Sequence, residues 1–252
     1  MIAFDHLTVS GRLGPVSGEL KAGCWLGVCG PNGAGKTTLL LALSGVLSSS
    51  KWQGGIQWSG VPLRTLTLDQ LARQRAVCLQ TAQADMFPVV VEQLLTMSTA
   101  CLDCADQRLA YEYVVSCLEL EPLLGRSLDQ LSGGQRQRCH LARCLIQVGL
   151  GAGRNDSKIL FLDEPFTGLD RNYIQSVLGV LSEFNRMGGT IMMHTHQLHY
   201  VQQYCDEAWL LKEGRMHQQG GVHSVFTQTV IESLFGSSTA PIVDSEGRRW
   251  WV

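Results

Sequence analysis

The chain opens with the alternation typical of strands and then changes to a longer period. Apolar residues recur in rough alternation over 2–9, and 25–29 is a short continuous apolar run. Such patterns predict a half-buried strand followed by a buried strand. A glycine-rich turn follows at 30–35, and 37–46 carries the apolar stripe of a helix. The order strand, glycine turn, helix is therefore expected near the N-terminus.

The same two patterns continue along the chain. Short apolar runs predict further strands at 55–58, 76–80, 159–162, 190–194 and 208–211. Helical spacing predicts helices at 68–75, 90–97, 108–120, 135–146, 172–187 and 197–204. Strand signals disappear between about 84 and 150, and all signals are weak beyond about 220. Strands that alternate with helices predict an α/β fold with a mostly parallel sheet.

Composition narrows the class of protein. The 20 Lys and Arg against 22 Asp and Glu give a net charge of −2, which argues against a broad basic face for nucleic acid. No run approaches the roughly 18 apolar residues of a membrane span. The first residues lack the basic and apolar regions of a signal peptide, so we expect a cytoplasmic protein. The nine cysteines then favour reduced thiols, and the lone Cys101-x-x-Cys104 pair is not expected to bind metal.

The strongest chemical signal matches the phosphate-loop pattern G-x-x-x-x-G-K-[ST]. It is filled by Gly30, Pro31, Asn32, Gly33, Ala34, Gly35, Lys36, Thr37 and Thr38. The glycines let the backbone wrap a polyphosphate, and the following helix N-terminus favours negative charge. Lys36 is expected to reach the β- and γ-phosphates, Thr37 to reach Mg²⁺, and Thr38 to reach a further phosphate. The alternative is a glycine-rich turn that binds nothing.

Two further patterns gain meaning beside this loop. Asp163 and Glu164 end an apolar strand, which can bring Asp163 near a metal and let Glu164 polarise an attacking water. Alone, such a pair is often a solvated turn. The second pattern precedes a helix and offers another anion site, or only a loop and helix cap. It consists of Leu131, Ser132, Gly133, Gly134 and Gln135.

Three single residues complete the candidate set. His196 lies just past a predicted strand, where it can bond to a γ-phosphate or to water. The histidines that compete for this role are His194, His199 and His217. Gln80 ends the predicted strand 76–80 and can contact Mg²⁺ or the attacking water. Asp170 is expected in the first turn of a helix, with a dimer contact as its functional interpretation.

These motifs, in this order over residues 30–196, resemble those of the ATP-binding cassette family. The resemblance implies a RecA-like P-loop NTPase core, at about 1–83 and 151–225, with an N-terminal antiparallel β-subdomain. It also implies an inserted α-helical subdomain at about 84–150 and a C-terminal tail at about 226–252. Two ATP molecules would lie between two cassettes in a homodimer.

The resemblance also implies roles for individual residues. Catalytic roles fall to Lys36, Gln80, Glu164 as the base and His196 as the switch histidine. The Mg²⁺ ligands would be Thr37, Gln80 and Asp163. The residues expected to bind ATP, besides the phosphate loop, are Ser132, Gly133, Gly134, Gln135 and Asp170. The pattern at 131–135 would be the family's signature motif, of which Ser132, Gly134 and Gln135 would contact the ATP held by the partner cassette.

Partners and substrate follow from the same resemblance. It implies that the cassette dimer binds two copies of a polytopic permease through residues at about 81–95, and acts indirectly with a periplasmic substrate-binding protein. The cassette would then lie peripherally at the cytoplasmic face of the bacterial inner membrane. The stretches RLGPVSGELKAG and AWLLKEGRM are similar to cassettes of cobalamin importers, with iron–siderophore and heme importers as alternatives. The early loop offers Arg12 and Leu13 where most cassettes stack adenine on an aromatic residue. Gln197 stands where an acidic residue often follows the switch histidine.

Two other classes fit less well. A soluble cassette acting on nucleic acid or ribosomes usually has coiled coils, two cassettes or basic surfaces, none of which is present in this sequence. A P-loop kinase would explain the phosphate loop but would leave the signature and His196 without a role. We therefore expect an ATP-driven transport subunit that does not bind nucleic acid.

Overall fold

The computed structural model describes residues 1–80, 88–152, 158–236, 241–243 and 249–251. The chain divides into two compact units. The first unit comprises Met1–Leu66 and Met192–Val252, and the second comprises Thr67–Ile191. The helix-rich segment expected at about 84–150 lies within the second unit, and its predicted boundaries as a subdomain remain a prediction.

The regular elements follow in chain order. The strands are β1 Ile2–Val9, β2 Leu13–Leu20, β3 Trp25–Cys29, β4 Gln53–Trp58, β5 Val61–Pro62, β6 Arg75–Cys78, β7 Ile159–Asp163, β8 Thr190–His194, β9 Glu207–Lys212, β10 Arg215–Gly221, β11 Ile242–Val243 and β12 Arg249–Trp250. The α-helices are α1 Lys36–Leu43, α2 Leu68–Gln74, α3 Val91–Ser98, α4 Cys104–Cys117, α5 Gly133–Gln147, α6 Arg171–Arg186, α7 Leu198–Tyr204, α8 Val222–Val225 and α9 Gln228–Phe235.

The N-terminal antiparallel sheet of the first unit has the strand order β2-β1-β4-β5. Along β1, Ile2 and Phe4 are buried while Ala3 and Asp5 are exposed, as the alternating sequence predicts. Trp58 at the end of β4 donates its indole N–H to the carbonyl oxygen of Leu43 at 3.0 Å. This hydrogen bond ties the sheet to α1, the helix that follows the phosphate loop.

A second set of strands in the first unit carries the phosphate loop. Strand β3 is buried along its whole length and pairs in parallel with β9, which pairs antiparallel with β10. Gly27 lets α7 approach β3, because a Cβ at this position would lie 2.3 Å from a Val201 methyl carbon. The pairing holds the carboxyl end of β3 at a defined position, and the phosphate loop begins there.

The second unit combines paired parallel strands with packed helices. Strands β6 and β7 run in parallel, with Cys78 opposite Leu162. Helix α5 packs on β6, where Arg143 donates to the carbonyl oxygen of Val77 at 2.8 Å. Gln147 at the end of α5 donates to the carbonyl oxygens of Ala72 and Arg75, each at 3.1 Å. Helices α3 and α4 pack against the same helix.

The predicted α/β class is confirmed, and several element boundaries are corrected. The predicted strand 76–80 ends at Cys78, so Gln80 lies past it and is exposed. Helix α5 begins two residues earlier than predicted and includes both signature glycines. The weak signals beyond 220 conceal α8, α9, β11 and β12, whose short lengths leave too few residues for a period to show. Among the described residues, no helix has the length and apolar character needed to cross a bilayer.

Candidate functional site

The phosphate loop has a backbone that only glycine accommodates at key positions. Gly30, Gly33 and Gly35 have φ angles of +149°, +78° and +96°. A Cβ on Gly30 would lie 2.1 Å from the carbonyl oxygen of Leu211, and one on Gly35 would lie 2.9 Å from that of Arg12. Side chains at Gly30 and Gly35 are disfavoured by both dihedral angle and space, whereas at Gly33 the space is open and only the dihedral angle disfavours a side chain. The loop pattern therefore reflects a real backbone constraint.

Lys36 folds back over the loop that precedes it. Its ammonium donates to the carbonyl oxygens of Gly30 at 2.7 Å and Pro31 at 2.8 Å, and the side chain is buried. A buried lysine needs compensating partners to remain charged, and the two carbonyl oxygens provide them. Thr37 and Thr38 follow in the first turn of α1, where Thr37 is exposed and Thr38 is half-buried. One helix N-terminus thus presents a cation and two hydroxyls.

A cavity of about 710 Å³ opens beside Thr38 in the first unit. Its lining includes Arg12 and Leu13, which the sequence singled out in the early loop. The other lining residues are Thr8, Val9, Ser10, Gly11, Gly14, Leu41, Leu47, Ser50, Lys51, Trp52 and Gln53. Trp52 is buried, with the Arg64 guanidinium 4.3 Å from its ring centroid. Sequence reasoning missed Trp52, because a single tryptophan in the loop expected at 48–55, between the predicted helix 37–46 and the predicted strand 55–58, carries no signal of a binding role.

The carboxylates Asp163 and Glu164 lie at the end of β7 in the second unit. Both are buried, with 3% and 7% of their surface exposed. Glu164 has a φ of +51°, a left-handed conformation that a residue with a Cβ rarely adopts. Such strain costs on the order of 1–3 kcal/mol and is concentrated at functional sites. Because β6 and β7 are parallel neighbours, Gln80 and Asp163 emerge from the same edge of this strand pair.

The signature residues form a reciprocal cap at the start of α5. The Ser132 hydroxyl accepts from the Gln135 backbone N–H at 3.2 Å, and the Gln135 side-chain oxygen accepts from the Ser132 N–H at 3.1 Å. The capping alternative is therefore confirmed as a structural role. It does not exclude anion binding, because Ser132 and Gly133 are exposed at a helix N-terminus. Gly133 and Gly134 lie inside the first turn rather than before it.

Asp170 is also a helix cap. Its carboxylate accepts from the backbone N–H groups of Asn172 at 3.0 Å and Tyr173 at 3.1 Å. It occupies the N-cap of α6 instead of the predicted first turn, because its own backbone is extended. Its expected contact with nucleotide or with a second cassette remains a prediction.

The four histidines near the predicted switch position have different surroundings. His196 is exposed just past β8, while His194 is buried, with its ring centroid 5.2 Å from that of His196. Burial lowers the pKa of His199, which is only half-exposed. His217 lies on β10 and shares a hydrogen bond of 2.8 Å with Ser233. The exposed position past the strand end agrees with the choice of His196, whose role remains a prediction.

The comparisons with known proteins agree with this architecture. The family model described as "ABC transporter" matches residues 13–167, which is more than half of the chain. The vitamin B12 import ATP-binding protein BtuD of Escherichia coli O45:K1 is 37% identical over 252 residues, covering 100% of this chain and 98% of that protein. The BtuD protein of Yersinia pseudotuberculosis is 34% identical over 235 residues, covering 93% of this chain and 91% of that one.

Solved structures share the fold at lower sequence identity. The structure titled "Structure of ATP binding subunit of ABC transporter" has a TM-score of 0.78 and 22% identity, covering 94% of this chain and 95% of that one. A dimeric post-hydrolysis cassette bound to ADP and Pi has a TM-score of 0.72 and 21% identity, covering 88% of this chain and 99% of that one. From its motifs, its fold and these similarities, we conclude that the chain belongs to the ABC transporter family and is one of its ATP-hydrolysing cassettes.

Proposed function

We propose that this cassette powers a bacterial importer of vitamin B12. The observation that carries the proposal is the 37% identity to BtuD, which spans 100% of this chain and 98% of that protein. Iron–siderophore and heme importers are the alternatives, because the N-terminal sequence that resembles cobalamin cassettes is partly shared with theirs. The transported compound itself would contact a permease and, before it, a periplasmic binding protein. Substrate identity must therefore be tested through those partners.

In this function the first unit binds the nucleotide. Lys36 neutralises charge on the β- and γ-phosphates, and loop amides around Gly33 donate to phosphate oxygens. The cavity beside Thr38 has room for the base, with Arg12 available to stack on it. The donor set proposed for Mg²⁺ consists of Thr37, Gln80 and Asp163, all of which offer oxygen, the ligand atom that Mg²⁺ prefers. When bound, Mg²⁺ neutralises phosphate charge in the transition state.

The hydrolytic step uses the second unit. Glu164 accepts a proton from a water molecule as the water oxygen attacks the γ-phosphorus. The bond from phosphorus to the bridging oxygen breaks, and ADP and phosphate are released. Buried and held in a strained conformation, Glu164 has little freedom to turn away from its position. His196 would hydrogen-bond to the γ-phosphate or to the attacking water.

We propose that two cassettes act as a head-to-tail homodimer. Ser132 and Gly133 are exposed at the N-terminus of α5, a helix of 15 residues. That terminus can cap the γ-phosphate bound by the other cassette, since it combines amide donors with a favourable dipole. ATP would then close the dimer, and hydrolysis would allow it to open.

The proposed permease contact, predicted at about 81–95, includes the first turns of α3 and the residues just before it. A cavity of about 570 Å³ is lined by Val89, Glu92, Gln93, Thr96 and Met97. Met97 is 74% exposed, which is unusual for so large an apolar side chain. Methionine adapts its shape to an apolar partner and is common at such surfaces. Residues 81–87 of the predicted contact segment lie outside the described residues, and the peripheral membrane location depends on this contact.

The experiment that tests the function uses a Glu164→Gln variant. This change removes the base and should lower turnover about 10²–10⁴-fold while ATP binding is kept. The tagged variant is loaded with ATP and purified from solubilised bacterial membranes, and mass spectrometry identifies its partners. A matched control is Glu213→Gln, because Glu213 is exposed and also has a φ of +51°.

The outcomes separate the alternatives. A polytopic permease in equal amounts supports the transport proposal, and uptake of labelled cobalamin through that permease supports the substrate. Uptake of iron–siderophore or heme instead would overturn the vitamin B12 assignment alone. Only soluble proteins or nucleic acid in the eluate would overturn the transport proposal. A phosphorylated metabolite formed with ADP, in place of free phosphate, would indicate a kinase.

A further inference from the structure

Three contacts within the second unit join the start of α5 to the segment that follows Glu164. The first is a hydrogen bond in which the Gln137 side-chain amide donates to the Pro165 carbonyl oxygen at 3.2 Å. Gln137 is buried, with 3% of its surface exposed, and Pro165 directly follows Glu164. A buried amide–carbonyl pair tolerates little displacement, because an unmade bond there is costly. The contact therefore restrains the backbone next to the proposed base.

The second contact is a close approach of two backbones. A Cβ on Gly134 would lie 2.3 Å from the carbonyl oxygen of Gly168. The turn that contains Gly168 is closed by hydrogen bonds from the Thr167 N–H to the Glu164 carbonyl and from the Leu169 N–H to the Phe166 carbonyl. Helix α5 thus rests directly on the turn that begins at Glu164.

The third contact is a cation–π pair. The guanidinium carbon of Arg138 lies 3.6 Å from the ring centroid of Tyr173 in the first turn of α6. Arg138 is buried and also donates to the Leu118 carbonyl oxygen at 3.3 Å. A desolvated guanidinium over an aromatic face is a comparatively strong contact of this kind. It attaches α5 to the far end of the segment that begins at Glu164.

We propose that Gln137 is a positioning residue that couples the Ser132 end of α5 to Glu164. A displacement of the capped helix start would be transmitted through the Gln137–Pro165 hydrogen bond to the backbone of the base. The other two contacts make α5 and residues 164–173 move together. The rate of hydrolysis would thus depend on whether a γ-phosphate is bound at the Ser132 end of α5. The inference rests on the proposed function in two respects, namely that Glu164 is the base and that the Ser132 end of α5 binds the γ-phosphate held by the other cassette.

The test replaces Gln137 with methionine, which keeps the volume and removes the donor. The matched control is Gln147→Met, since Gln147 lies on the same helix and also donates its side-chain amide to backbone carbonyls. We expect kcat to fall about 10- to 100-fold in Gln137→Met, with the KM for ATP changed less than about threefold. Gln147→Met should retain kcat within about twofold. Equal kcat values in the two variants would overturn the proposal.

Amide hydrogen exchange gives a readout that does not depend on turnover. In Gln137→Met, the amides of Glu164 and of residues 166–170 should exchange at least about tenfold faster, while those at the C-terminal end of α5 keep their protection. Unchanged exchange at 164–170 would overturn the coupling. Faster exchange without a lower kcat would overturn its role in hydrolysis. If Glu164→Gln keeps full turnover, the assignment of the base fails instead, and exchange still decides whether Gln137 restrains this segment.

In a second variant, a fall in pH restores a hydrogen-bond donor at position 137. In Gln137→Glu the ionised carboxylate cannot donate to the Pro165 carbonyl, whereas the protonated acid can. Burial should raise the pKa of this carboxyl group. The ratio of variant to wild-type kcat should therefore rise as the pH falls, whereas the ratio for Gln137→Met stays flat. A flat ratio for Gln137→Glu would refute the hydrogen bond as the means of coupling, even if Gln137→Met failed to fold.

Discussion

The two signature glycines provide a sharp test of the packing at the start of α5. Both lie in the first helical turn, and both are changed to alanine in turn. At Gly134 the new Cβ would lie 2.3 Å from the Gly168 carbonyl oxygen, a backbone atom that cannot rotate away. At Gly133 a Cβ would have no neighbour within 4 Å. The same change, glycine to alanine, is therefore tested at one open and one crowded position of the same helical turn.

The expected free-energy changes have opposite signs. Alanine stabilises a helix relative to glycine by about 0.5–1 kcal/mol, so Gly133→Ala should raise the free energy of unfolding by up to that amount. Overpacking a tight contact costs about 1–3 kcal/mol. Gly134→Ala should therefore lower the free energy of unfolding by up to about 2.5 kcal/mol net. For a chain of this size, that corresponds to a Tm lower by up to about 10 °C.

The assay is thermal and urea unfolding of both variants, followed by circular dichroism. A urea midpoint that shifts at constant m-value reports a change in stability alone. If Gly134→Ala were as stable as Gly133→Ala, the close approach of α5 to Gly168 would be wrong. Helix α5 would then be joined to residues 164–173 by two of the three contacts described above.

Three further predictions concern single side chains. Lys36→Met should weaken ATP binding at least about 100-fold by loss of a charge–phosphate contact, whereas the exposed Lys21→Met should leave it unchanged, as measured by calorimetry. Trp58→Phe removes the donor to the Leu43 carbonyl and should lower the free energy of unfolding by about 1–3 kcal/mol in urea titrations, with the m-value unchanged. Burial lowers the pKa of His199 from its ordinary 6.5, so the unfolded chain binds the proton more tightly. Stability should therefore fall as the pH drops below about 6.5, and a His199→Gln variant that kept the same slope between pH 7 and 5 would contradict this.

Local patterns were sufficient to predict those candidate site residues that are consecutive in the chain. The phosphate loop is predictable because its strand, glycines, lysine and helix are contiguous, and each has a local backbone requirement. Asp163 and Glu164 could be proposed for the same reason, since a buried strand ends at Asp163 and Glu164 follows directly. The signature was found as a motif, but its exact helix start was not, because a reciprocal cap draws both glycines into the first turn. Gln80 was assigned to a strand that in fact ends at Cys78.

Contacts between distant residues were invisible in the sequence. Trp52 lies in a predicted loop, and only tertiary packing brings it to the same cavity as Arg12 and Thr38. Gln137 is one of several glutamines and arginines after the signature, and periodicity does not tell which of them meets the Pro165 carbonyl. A side-chain hydrogen bond across 28 residues depends on how α5 packs, which no window of local sequence reports.

By itself, the sequence determined the fold class of this protein and which side chains and loops are candidates for its chemistry. It did so because periodicity, glycine conformations and strand-end carboxylates act over a few neighbouring residues. The tertiary structure alone decided the strain at Glu164, the close approach of Gly134 to Gly168 and the buried bond from Gln137 to Pro165. These features depend on how elements that are distant in the chain pack together, and in a close-packed interior a shift of less than an ångström makes or removes a contact.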